Sequence, residues 1–143
     1  MKRDFRPVRI VIDTNLCISL LIGKRVAELR QVFAASQYEL AISEKLIEEL
    51  LLVTARSKFA RYFDTEDVED FVQFLRKRAR CFKVEKITPR CRDPKDDFLL
   101  ELAVVAEADI LLSGDTDVTD MRQIGKCRIM TAAEFLKMTT ETN

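Results

Sequence analysis

Histidine is absent from this chain of 143 residues. That removes the Ser-His-Asp and Cys-His nucleophiles, a histidine general base, and any zinc site built on imidazole. The four cysteines, Cys17, Cys81, Cys91 and Cys127, form no CxxC pair. They are expected as reduced thiols, since an intracellular chain of this size needs no disulfide staple. No apolar run approaches the roughly 20 residues of a membrane span. The opening MKRDFRPV has no apolar segment of the kind a secretory signal uses, so a cytoplasmic protein is expected. Net charge is lacking too, because 24 basic residues balance 24 acidic ones. With no repeat, linker or low-complexity tract, residues 1–143 are expected to form one domain. Such a chain buries about two thirds of its unfolded surface.

What is present is 48% hydrophobic and 34% charged, a balance that suits a folded α/β protein and argues against disorder. The charges are segregated. Eight bases (Arg76, Lys77, Arg78, Arg80, Lys83, Lys86, Arg90, Arg92) fall in residues 76–92 against Glu85 alone. Nine acids (Asp93, Asp96, Asp97, Glu101, Glu107, Asp109, Asp115, Asp117, Asp120) fall in residues 93–120 against Lys95 alone. This split predicts a basic surface beside an acidic pocket.

Short apolar runs alternate with longer helical patterns. Residues 8–12, 38–42, 110–112 and 128–130 read as strands, with a weaker candidate at 81–87. Helical patterns cover residues 24–35, 43–59 behind Ser43 as N-cap, 64–80, 94–108 behind Asp93-Pro94, and 131–138 with Thr131 and Glu134 as a capping box. That alternation predicts a parallel sheet flanked by helices, whose ligands gather beyond the carboxyl ends of the strands where strand order reverses.

Acids collect at that edge. The first strand runs into Asp13, and the strand at 110–112 runs through Ser113-Gly114 into Asp115. Asp96 and Asp97 open a helix there, and either Glu48 or Glu49 can face the same end. Each acid alone could cap a turn or a helix. Together, several carboxylates without a histidine or a paired lysine repel one another by several kcal/mol unless a cation neutralises them. Oxygen-only sites favour Mg²⁺ or Mn²⁺, which can acidify a water and hold a phosphate oxygen.

The stretches IDTN (12–15), SEKLIEEL (43–50), RDPKDDFLLELA (92–103) and ADILLSGDTDV (108–118) resemble the PIN domain family, and the DPKDD and SGD forms resemble its VapC-like toxin ribonucleases. The resemblance implies a three-layer fold with a central parallel sheet between helices. It implies an Mg²⁺- or Mn²⁺-dependent endoribonuclease with catalytic, metal-binding acids at Asp13, Glu49, Asp96 and Asp115. Asp97 is the rival of Asp96, and Asp117 an outer acid. Thr14, Asn15, Ser43 and Ser113 match polar supporting positions, Ser113 replacing the family's usual Thr. An RNA substrate, an antitoxin partner and a homodimer are implied by the same analogy. Arg76, Arg78, Arg80, Arg90 and Arg92, together with Arg56 and Lys58, would hold RNA phosphates.

Two other readings compete. One is a catalytically inactive PIN-fold module that binds RNA or protein. The other is a haloacid-dehalogenase-like phosphatase, suggested by SGDTDVTD (113–120). The second acid that such a phosphatase needs two residues after its nucleophile is Asn15 here, which cannot donate and retrieve a proton.

Overall fold

A computed structural model of the chain describes residues 6–90 and 96–141, with side chains as far as Thr139. The Asp93-Pro94 cap, Arg92 and Cys91 lie outside the described residues. Strand β1 (Val8–Ile12) is followed by helices α1 (Thr14–Ile22) and α2 (Val26–Ala34), then β2 (Tyr38–Ile42) and α3 (Glu44–Thr54). A short 3-10 turn at Ser57–Phe59 leads to α4 (Thr65–Arg78) and β3 (Ala79–Cys81). The chain continues through α5 (Asp97–Val105), β4 (Ile110–Leu112), α6 (Thr116–Thr119), β5 (Gln123–Ile124), β6 (Cys127–Met130) and α7 (Ala132–Glu141).

The strands form one sheet in the order β3-β2-β1-β4-β6-β5. All neighbours are parallel except β5, which turns back antiparallel along β6. The pleat divides the core. Ile10, Ile12, Leu40, Ile42, Ile110 and Leu112 face one layer with α1, α2, α4 and α7, while Val11, Ala41, Leu111 and Ile129 face a second layer with α5. A sheet covered on both faces explains the unbroken apolar runs. From β1 the chain moves outward to β2 and β3, then crosses back to place β4 on the other side of β1. Strand order therefore reverses between β1 and β4, and the carboxyl ends of these two strands are where a sheet of this kind gathers its ligands.

Several boundaries depart from expectation. The helix α1 does not stand out in the sequence pattern, because TNLCISLLI is apolar nearly all round and has little of the one-faced periodicity that marks a surface helix. The helix expected over 43–59 ends at Thr54, where the Thr54 hydroxyl donates to the carbonyl of Leu50 at 2.7 Å and the chain breaks into the 3-10 turn. The strand expected at 81–87 lies instead at Ala79–Cys81, directly off the end of α4. After it, residues 82–90 run as an irregular strap without strand pairing.

Candidate metal centre

Asp13 sits where β1 hands over to α1. Its Oδ1 accepts the Leu16 amide at 2.6 Å, which caps the helix, and its own amide donates to the carbonyl of Leu112 at 3.0 Å. The other oxygen, Oδ2, accepts the hydroxyl proton of Ser113 across the switch point. Ser113 is fully buried, and its Oγ in turn accepts the Asp115 amide at 3.0 Å. One hydroxyl thus ties the end of β1 to the turn after β4. Asp115 caps α6, its Oδ1 accepting the Asp117 amide at 2.9 Å.

Carboxylate oxygens of Asp96, Asp115 and Asp117 lie within 4.8 Å of one another, and all three residues are half-buried. Two elements supply them, the start of α5 and the first residues of α6. The donor set is oxygen only, which suits a hard divalent cation. Asp13, only 6% exposed, borders the group through Ser113. Burial pushes its carboxyl above the ordinary 3.8; the Ser113, Leu16 and Gly114 hydrogen bonds oppose that rise, and the charge of Asp115 adds to it.

The structure separates Asp96 from Asp97. Asp96 belongs to the three-acid group, whereas buried Asp97 accepts the Arg90 amide at 2.9 Å through Oδ1. One turn later, buried Glu101 accepts the Thr88 amide at 3.0 Å and the Arg90 guanidinium at 3.5 Å. These two acids anchor the strap 82–90 on α5. Sequence reading gave Glu101 no role, although a spacing of four on an apolar helix puts both acids on one face. Asp117, read as an outer acid, lies inside the group.

Glu49 is exposed on α3, its Oε2 3.4 Å from the Thr14 hydroxyl that donates to it, and it is not part of the three-acid group. Ser43 caps α3 through the Leu46 amide at 3.1 Å, and Asn15 is exposed in the first turn of α1. Of the expected phosphate-binding bases, Arg76 pairs with Glu44 at 2.7 Å, Arg78 donates to the carbonyl of Phe33, and Arg80 lies 5.8 Å from the centroid of the Phe82 ring. Arg90 rests at the first turn of α5.

The family model of the PIN domain matches residues 9–117, which contain Asp13, Glu49, Asp96, Asp97, Asp115 and Asp117. No curated protein matches the chain. Among solved structures, VapBC2 from Rickettsia felis, bound to a DNA fragment from their promoter, superimposes with a TM-score of 0.54 at 14% identity, covering 86% of this chain and 98% of that one. At that identity the likeness is one of fold. The family match spans most of the chain and takes in the strand-end acids Asp13 and Asp115, which displaces the phosphatase reading; the chain belongs to the PIN domain family.

Proposed function

We propose that this chain is an Mg²⁺- or Mn²⁺-dependent endoribonuclease acting on RNA phosphodiesters, and the toxin of a toxin–antitoxin pair. The observation that carries the reading is the approach of Asp96, Asp115 and Asp117 to within 4.8 Å beside Asp13. Two unit charges about 4 Å apart repel by roughly 4 kcal/mol at the dielectric of a protein surface, so the group calls for a cation. When bound, one or two such ions supply an acidified water and neutralise charge on the phosphate oxygens.

The chain's own part is positioning. Asp96, Asp115 and Asp117 serve as ligands, and Asp13 completes the set, its carboxylate fixed by the Leu16 amide and Ser113. Glu49 reaches the group directly or through water, steadied by Thr14, while Asn15 and Ser43 shape the rim. Arg80 and Arg92 contribute phosphate contacts, joined by Arg76, Arg78 and Arg90 where RNA phosphates draw them from their partners within the chain, so RNA affinity falls steeply with salt. The toxin assignment rests on the likeness of DPKDD and SGD to the toxin-type members. An antitoxin and a second copy of the chain are the partners that this likeness brings.

The test is Asp13→Asn in an Mn²⁺-dependent RNA cleavage assay. Wild type is expected to cleave, and the folded variant to lose at least about a hundredfold, the scale on which charge-stabilising groups act. A folded Asp13→Asn protein that cleaves at the wild-type rate overturns the mechanism. RNA binding by the wild type without any cleavage favours the inactive module. Growth arrest on overexpressing wild type but not Asp13→Asn supports the toxin role, and unaffected growth counts against it.

A further inference from the structure

The sequence gathers eight of its 24 bases in the run 76–92, yet several of them are engaged within the chain: Lys83 pairs with Glu85 at 3.5 Å and Arg80 lies over the Phe82 ring. Arg76 gives two hydrogen bonds to Glu44, at 2.7 and 2.9 Å. Arg78 is held by the Phe33 carbonyl, and Arg90 by Glu101. Lys45 stands outside this run, exposed in the first turn of α3, the helix that leaves the carboxyl end of β2. Its ammonium lies 4.6 Å from the centroid of the Phe98 ring. Phe98 belongs to the first turn of α5, two residues after Asp96. The next residue on α3, Leu46, belongs to the same core cluster as Leu99 and Leu100 of α5.

An ammonium packed against a residue two positions after Asp96 would be expected to turn toward the carboxylates of that helix start. Here it rests on an aromatic face instead, and among the described residues Lys45 forms no ion pair. We infer that Lys45, seated on Phe98, is a substrate-binding residue that contacts an RNA phosphate at the rim of the metal centre. A lysine suits that task as a compact point charge that needs no fixed fork geometry. Phe98 keeps the charge from competing with a cation for Asp96. The inference rests on the proposed ribonuclease activity and adds a contact to it.

The experiment measures cleavage of a short fluorescently labelled single-stranded RNA in Mn²⁺ by wild type, Lys45→Met and Lys45→Arg, across a salt series. Lys45→Met is expected to raise KM about three- to tenfold, with kcat within about twofold, since one lost phosphate contact removes about 0.7 from the logarithmic salt slope. Lys45→Arg keeps the charge and should restore both KM and slope. The Mn²⁺-induced rise in Tm should be the same in all three proteins. Unchanged KM and salt slope in Lys45→Met overturn the inference while leaving wild-type cleavage, and so the ribonuclease reading, intact. A fall in the Mn²⁺ response of Lys45→Met, or no rescue by arginine, also overturns it, because the lysine would then support the centre's structure. If wild type shows no Mn²⁺-dependent cleavage, both proposals fall together.

Discussion

Asp13 carries two demands that pull in opposite directions. As the cap of α1 it offers one oxygen to the Leu16 amide, and as a buried carboxylate it carries a charge that burial disfavours. Its folded-state affinity for a proton is raised, so in the metal-free protein the ionised form costs stability above the folded pKa. That cost vanishes below the unfolded value near 3.9. In EDTA, stability should therefore rise as pH falls through the window between those two values, and Asp13→Asn should melt above wild type at pH 7. The difference should narrow toward pH 4 in scanning calorimetry; a gap that widens instead would contradict the burial argument. Ser113 is the complementary case. Ser113→Ala strips a buried donor from Asp13 and an acceptor from the Asp115 amide, and should cost about 1–3 kcal/mol in denaturant titration. Loss of this orienting hydroxyl should also weaken Mn²⁺ binding about 10- to 100-fold by calorimetry.

At the scale of elements, α5 serves two purposes on adjacent residues. Asp96 faces the acidic group, while Asp97 and Glu101 hold the strap 82–90 by its backbone amides. Asp96→Asn should weaken Mn²⁺ binding by roughly the 10- to 100-fold seen when a metal site is disturbed, whereas Asp97→Asn should leave it nearly unchanged. Asp97→Ala should instead remove hydrogen-exchange protection from the Arg90 amide, with a stability loss of about 1–3 kcal/mol. The reverse pattern would reassign the two acids. Arg9 shows the same economy inside β1. Though only 9% exposed, it donates to Glu39 at 2.8 Å and to the Ala106 carbonyl at 2.6 Å, and it packs 5.1 Å from the Phe82 ring centroid. A charge in a central strand is tolerated because all three neighbours satisfy it.

Across the whole molecule, the sheet order gathers acids that the chain keeps far apart. Asp13 and Asp115 are joined through Ser113 because β1 and β4 are neighbours, paired Ile12 with Leu112. A cation held by Asp13, Asp96, Asp115 and Asp117 would tie together elements on both sides of the switch point, so Mn²⁺ at about 100 times its Kd should stabilise the fold by roughly 2.7 kcal/mol. For a domain of this size that is a Tm rise of several degrees, which Asp115→Asn should abolish. Among the described residues no helix is long and apolar enough to cross a membrane. The sequence by itself determined the strands at 8–12, 38–42 and 110–112, since a strand buried on both faces must be apolar throughout. It also pointed to the edge where the acids meet and to the family whose motifs they form. It could not show α1, whose apolar surface hides its period, or the antiparallel β5, which is two residues long. The side-chain assignments were decided only by tertiary structure. Asp96 and Asp97 are adjacent and chemically alike, and only the strap packed on α5 turns one inward to the backbone and leaves the other to the centre. Likewise three of the eight bases read as one run, Arg76, Arg78 and Arg90, meet Glu44, Phe33 and Glu101 within the chain, because which acceptor a long cationic side chain meets depends on the neighbouring element, not on its neighbours in the chain.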